Sequence, residues 1–376
     1  MRRGERNMQE MTSRQRLLAC LKRKPADRVP VSCYELCGYD RDAWYNREPS
    51  YRELMDAIRE KSDCIFMSAP DYVEQTTQVI HHVYRDGTYL LDDIVWQSSA
   101  GPFTMQTKKS DGIHTVWYTQ HYLKGEDDID RFLQAELPVP QVSMEKFFKQ
   151  QSELGEHGIM LLDFGDPLSD AADLMGMDNL LVFLYTEPER MERVLDKLFV
   201  RKMEIVKQVA RYDIHDVMVR IYGAEYCTVP YLPPSMFPKL CTRYLTPMID
   251  CFNRAGAITR IHSHGNIRAN LDELVKTGAA CIDPIEPLPD GDISLAEVKK
   301  GWGDKLILMG NIELKELENS PPARIRQLVY QAMQDAKSGG GFILMPTATP
   351  INVPLAAHTK QNFLTMLDAA RKFGAY

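Results

Sequence analysis

No apolar run in this 376-residue chain approaches the ~18 residues of a membrane-spanning helix. Lys and Arg form no long basic stretch, and 45 of them against 52 Asp and Glu leave a net charge of −7. That balance argues against a nucleic-acid footprint. Cysteine is sparse: eight residues, at 20, 33, 37, 64, 227, 241, 251 and 281, lack the density of a disulfide scaffold. No glycine-rich dinucleotide turn follows an apolar run, and there is no phosphate loop, nucleophile elbow or paired C-x-x-C motif. Residues 1–12 are polar, without the apolar segment of a secretory signal. The expectation is a cytoplasmic protein with reduced thiols and neither a membrane nor a nucleic acid as partner.

What the chain does have is rhythm. Short, near-continuous apolar runs occur at 29–35, 64–69, 158–164, 216–222, 257–264, 279–285, 305–311 and 340–346. Such runs suit strands buried on both faces of a parallel sheet. Amphipathic segments interleave with them. Ser13 is expected to cap a helix at 14–23, Pro188 opens one reaching 211, and others cover 236–254, 323–337 and 356–373. Eight strands alternating with helices predict an α/β fold, a (β/α)8 TIM barrel, as one domain over 1–376 with a lead-in at 12–28. The stretch 71–121 breaks the pattern. Its strand-like runs at 76–84, 88–92, 103–109 and 114–120, separated by Asp86-Gly87 and Asp111-Gly112, predict β-hairpins inserted after the second strand. An open doubly wound sheet is the rival architecture, and the missing glycine-rich turn counts against it.

In a barrel, chemistry sits at the carboxyl ends of the strands. Those ends offer Glu35, Cys37, Asp71, Asp163, Asp166, Glu225, His262, His264, Asp283, Glu286, Asn311 and Thr347. The set is rich in carboxylates and imidazoles and short of Lys and Arg, which suits a cation or a neutral substrate. Its sharpest member is Ala-Ile-Thr-Arg-Ile-His-Ser-His-Gly-Asn at 257–266. Residues i and i+2 of a strand share a face, so His262 and His264 would project together. Two imidazoles aimed at one point suit zinc; the alternative is a pair of hydrogen-bonded rim histidines. Glu225 is the first choice for a third ligand, and Cys281 the second. Asp283 is either a ligand or an acceptor orienting a histidine. Gly265-Asn266 reads as a turn with Asn266 capping a helix at 267–276. In the loop at 163–167, Asp163 could polarise a substrate and Phe164 line its pocket, while Ser169 or Asp170 caps the next helix. Asn311 places an amide in the pocket or closes a turn. The expected catalytic residues are thus Asp163, Glu225, Asp283 and Asn311, with Phe164 and Glu286 against the cofactor.

Several motifs together resemble the uroporphyrinogen decarboxylase superfamily. They are Asp27-Arg28-Val29-Pro30-Val31, the loop at 163–167, Pro233-Pro234-Ser235-Met236-Phe237, His262-Ser263-His264-Gly265-Asn266, Leu308-Met309-Gly310-Asn311-Ile312 and Gly339-Gly340-Gly341-Phe342-Ile343-Leu344. The resemblance implies a (β/α)8 barrel with its pocket at the carboxyl ends. True decarboxylases of the family look like Arg-x-x-Gly-Arg after the first strand. Here Tyr34-Glu35-Leu36-Cys37-Gly38-Tyr39-Asp40-Arg41 lacks the paired arginines. A polycarboxylate there would bury uncompensated charge. The family's other branch comprises zinc methyltransferases that work with a corrinoid protein. Thiol-activating members resemble His-x-Cys with a later Cys, but this chain has His262-Ser263-His264 and no Cys in Met345-Pro346-Thr347-Ala348-Thr349. A zinc site of nitrogen and oxygen donors suits an oxygen ligand. The resemblance therefore implies zinc-dependent methyl transfer from a small O- or N-methyl donor, a methoxyaromatic first, to the cobalt of a corrinoid carried by a partner protein. A homodimer is compatible with it. The alternatives are a uroporphyrinogen decarboxylase-like enzyme and a non-catalytic binder of a corrinoid or partner protein.

Overall fold

Helix α1 (Ser13–Leu21) opens the folded chain, which in this computed structural model is described at residues 10–73 and 78–376. Its cap is Thr12 rather than Ser13. The Thr12 hydroxyl accepts the Gln15 N–H at 3.1 Å, and the Gln15 side chain accepts the Thr12 N–H at 3.1 Å. This reciprocal capping box satisfies two orphan donors at once, which a cap at Ser13 would not.

Strand β1 (Cys64–Ser68) is followed by β2 (Asp71–Val73) and then by β3 (Gln78–Asp86), β4 (Tyr89–Ser98), β5 (Gly101–Ser110) and β6 (Trp117–Gln120). The last four form one antiparallel sheet in chain order. Gly87 turns between β3 and β4 at φ 59°, in the left-handed region that hairpin turns need. The expected run at 76–84 begins at residues 76 and 77, which lie outside the described residues. Strand β7 (Gln141–Ser143) returns to pair antiparallel with β2. Then come β8 (Gly158–Gly165), β9 (Met218–Tyr222), β10 (Ile258–Ser263), β11 (Cys281–Pro284), β12 (Ile307–Ile312) and β13 (Phe342–Pro346). With β1 these make a seven-stranded parallel sheet in the order β1-β8-β9-β10-β11-β12-β13. It is a curled, TIM-barrel-like sheet with helices such as Pro188–Val209 and Arg243–Arg254 packed outside it.

The expected strand at 29–35 contributes only one bridge, Val31 to Leu344. Ser32 N donates to Leu344 O at 2.9 Å, Leu344 N to Pro30 O at 3.0 Å, and Asp63 N to Val31 O at 2.6 Å. These bonds carry the ring from β13 back towards β1. Pro30 has no N–H to extend the ladder, and Tyr34 turns the chain at φ 56°.

Alternation along the strands divides the core in two. Inside the sheet, Leu17, Cys20 and Leu21 of α1 pack against Ile159, Met218 and Ile307, so the helix floors the barrel at its amino-terminal end. The helix is anchored by Arg16, which is 2% exposed. Its guanidinium donates to both Asp27 oxygens at 2.6 and 2.7 Å and to Asp63 Oδ1 at 2.6 Å. Asp63, wholly buried, also accepts from Arg28 Nη1 and Val31 N, each at 2.9 Å. The motif at 27–31 thus couples the floor to the strand that closes the ring. All eight cysteines are free. Among the described residues no helix is long and apolar enough to cross a membrane.

Candidate active site

Parallel register gathers the polar interior. It sets Asp163 of β8 beside Arg220 of β9, Arg220 beside Arg260 of β10, and His262 beside Asp283 of β11. The two arginines correct the expectation of a rim short of cations. They occupy inward positions of Met218-Val219-Arg220-Ile221-Tyr222 and Ile258-Thr259-Arg260-Ile261-His262. The two-residue alternation in those runs was the available signal.

Each arginine is neutralised in place. Arg220 donates to the two Asp163 oxygens at 2.6 and 3.0 Å, and its Nη1 donates to the Tyr34 hydroxyl at 2.7 Å. Arg260 makes a two-pronged ion pair with Asp283, which is wholly buried. Asp283 Oδ2 also accepts from His262 Nδ1 at 2.7 Å. Burial alone would raise the Asp283 carboxyl, but Arg260 and His262 outweigh it and hold the group well below the usual carboxylate range. The carboxylate leaves His262 with its proton on Nδ1. Nε2 then faces the Tyr34 hydroxyl 3.3 Å away.

His264 is built the same way. Its Nδ1 meets Glu286 Oε1 at 2.7 Å, and Gly265 N donates to Glu286 Oε2 at 2.6 Å. Gly265, at φ 78°, turns the chain there. Burial disfavours the His264 cation, but the hydrogen bond and charge of Glu286 prevail and raise its pKa. The His262 and His264 rings lie 4.6 Å apart between centroids, at 88°. Asn266 does not cap a helix. It bridges to Val229, and a 3-10 turn (Arg268–Asn270) precedes the helix Leu271–Lys276.

The remaining expected residues divide by position. Glu225, in the short turn Ala224–Cys227, accepts the Gly223 N–H at 2.9 Å and sits close enough to act electrostatically on His264. Asp166, rather than Ser169 or Asp170, caps the helix Pro167–Met175, accepting from Ser169 N at 2.7 Å. A Cβ at Gly223 would come within 2.0 Å of Asp166 Oδ1, so only glycine fits. Asp166 is 1% exposed and its Oδ2 has no partner among the described residues. Burial, helped by the Glu225 charge, pushes its carboxyl up to about 8. Asn311 lies half-buried near the end of β12, opposite Met345. Cys281 sits one alternation below Asp283, in the apolar floor with Ile307 and Met309, where burial pushes its thiol up. Phe164 does not line the interior. Its neighbour Asp163 points in, so Phe164 points out, its ring tilted at 50° against Phe252 with 5.2 Å between centroids.

Sequence reading missed Tyr34, Arg220, Arg260 and Glu313. Glu313 follows β12 and accepts the Thr347 hydroxyl at 3.2 Å. Burial, then the charges of Glu286 and Asp290, push its carboxyl up to about 7.

Two imidazoles, each held through Nδ1 by a carboxylate and each keeping Nε2 for a ligand, match the way proteins prepare histidines for a metal. The pair offers two imidazole nitrogens, donors of the kind zinc takes. The pair therefore fits a metal as two donors. Among the described residues, no three His, Cys, Asp or Glu side chains stand together as a metal cluster.

Comparison with known proteins follows this geometry. The profile of the family described as uroporphyrinogen decarboxylase (URO-D) matches residues 12–373. No curated protein matches the chain. Among solved structures, a methyltransferase from Methanosarcina mazei superposes with a TM-score of 0.63 at 15% identity, covering 97% of this chain and 99% of that one. A Bacteroidetes-affiliated GH5 cellulase gives 0.37 at 10% identity, over 69% and 78% of the two chains. A D-psicose 3-epimerase from Clostridium cellulolyticum H10 gives 0.39 at 10%, over 61% and 84%. Of these three, the first superposition is close enough to support the fold.

Proposed function

Since the chain belongs to the uroporphyrinogen decarboxylase family, we propose that it is a zinc-dependent methyltransferase, moving a methyl group from a small O- or N-methyl donor to the cobalt of a corrinoid on a partner protein. A methoxyaromatic is the donor that suits it best. One observation carries the reading: His262 and His264, side by side, are each oriented by a carboxylate on Nδ1. The fold shared with the Methanosarcina mazei methyltransferase is compatible with it.

His262 and His264 would hold the zinc, with a third donor from the groups ringing them, Glu225 among these. When bound, the metal supplies Lewis acidity towards the donor's ether oxygen. The chain's own residues do the rest. Asp283 fixes the tautomer of His262, and Arg260 keeps Asp283 ionised. Glu286 orients His264. Glu313, raised to about 7, holds a proton near neutrality for a departing oxygen. The apolar floor that α1 forms closes the interior from below. Holding methyl and cobalt in line is the main source of acceleration in this scheme.

Decarboxylation of a polycarboxylate is the weaker reading, because Arg220 and Arg260 are already paired with Asp163 and Asp283. The test is methyl transfer to cob(I)alamin from methoxyaromatics and methylamines, with zinc content measured alongside. The expected result is stoichiometric zinc and transfer from at least one donor, both lost in His262→Ala. Carbon dioxide release from uroporphyrinogen, or zinc-free protein that binds a corrinoid partner without turnover, would replace the proposal.

A further inference from the structure

We propose that Tyr34 supplies the third donor of the metal centre, its phenol oxygen completing a set with the two histidine nitrogens. The inference rests on the zinc reading above and names a ligand that the sequence did not suggest.

The first argument is a distance. The Tyr34 oxygen lies 3.3 Å from His262 Nε2. Hydrogen bonds between nitrogen and oxygen normally lie at about 2.7–3.2 Å. Two donors each about 2.0–2.1 Å from a tetrahedral zinc stand roughly 3.3 Å apart. The separation is long for a hydrogen bond and right for the edge of a coordination tetrahedron.

The second argument is rigidity. Arg220 donates to the phenol oxygen at 2.7 Å and is itself clamped by Asp163 through two bonds. The clamp fixes where the phenol oxygen sits beside His262, and on ligation its hydroxyl proton would pass to solvent. The Arg260 guanidinium, itself held by Asp283, lies 5.9 Å from the same ring and packs against it.

The third argument is the backbone. Tyr34 sits at φ 56°, a left-handed setting that a bulky side chain rarely adopts. Such strain concentrates at functional sites. Here it accompanies a ring that is held among His262, Arg220 and Arg260. The rival third donors are placed less well. Glu225 is turned back onto its own loop through the Gly223 N–H, whereas Tyr34 reaches His262 directly, and Cys281 is in the apolar floor. Ligation by His262, His264 and Tyr34 would leave the fourth position for the substrate oxygen.

The experiment compares metal-stripped wild type with Tyr34→Phe, which keeps the ring. Zinc affinity is read by competition with a chromophoric chelator. Copper(II)-loaded samples are scanned for phenolate-to-metal charge-transfer absorption. The expected result is a loss of zinc affinity of roughly tenfold or more in Tyr34→Phe, since even outer partners of a metal site cost about 10–100-fold. The absorption band should be present in wild type and absent from the variant. Zinc binding by Tyr34→Phe as tight as wild type or tighter would overturn the proposal, as would a copper-loaded wild type without the band. If Tyr34→Phe does not fold, the wild-type band decides alone. A wild type that binds no zinc would fail differently, removing the metal reading itself and this ligand with it.

Discussion

His262 and Asp283 stand opposite each other on adjacent parallel strands, in direct register, with Nδ1 and Oδ2 2.7 Å apart. The same carboxylate neutralises Arg260, so it serves a histidine and a buried cation together. Asp283→Asn keeps the shape and removes the charge, leaving Arg260 buried without a counter-ion. Removing one member of a buried pair costs about 3–5 kcal/mol. Urea denaturation should show a loss of that order, and a variant as stable as wild type would mean that the pair is not closed in solution.

Asp166 makes a pH prediction. Its carboxyl is raised to about 8, so the folded state keeps a proton that the unfolded chain, near the usual value of about 4, has already released. A raised group contributes stability that is full below its unfolded pKa and is lost as pH rises through its folded value. Asp166→Asn retains a competent helix cap without that titration. Chemical denaturation across pH should find the two proteins similar near pH 4 and the variant pulling ahead as pH rises, by up to about 5 kcal/mol near pH 8. Parallel curves would refute the assignment.

Arg16 anchors the helix that floors the barrel. Arg16→Ala leaves the wholly buried Asp63 with Arg28 as its one remaining cationic partner. The expected cost is about 3–5 kcal/mol by thermal or chemical melting. Arg16→Lys should recover only part of it, because an ammonium cannot reproduce the planar fork that reaches Asp27 and Asp63 together.

Cys281 offers the opposite expectation. Packed among Ile307 and Met309, its thiol should resist alkylating reagents until the protein unfolds. Cys281→Ala should cost about 1–2 kcal/mol, as a small cavity does, and leave zinc binding as in wild type. Rapid alkylation in the native state, or loss of zinc, would move this residue to the rim.

The histidine pair was legible because period two and an apolar run point to one answer. The same rule, applied to the neighbouring runs, would have turned Arg220 and Arg260 inward and Phe164 outward. A charged residue inside an apolar run reads first as an interruption, although across the sheet Asp163 and Asp283 complete each pair. Tyr34 had no such signal. Its place depends on a left-handed turn after a segment that bonds to β13 through residues 30–32, and a non-glycine residue does not announce that conformation. Caps were legible in kind and misplaced in number: Thr12 and Asp166 won because their side chains reach an N–H three residues ahead.

Helix α1 closes one end of the strand cylinder. A vessel with a sealed base has a single doorway, so every reactant must use the same opening. On the proposed function, a small donor lodged deep would have to arrive before a bulky partner settled over the rim, and its spent product would depart only after that visitor withdrew. Compulsory order of arrival and departure would then follow from a nine-residue stopper at the far end, remote from any reacting atom.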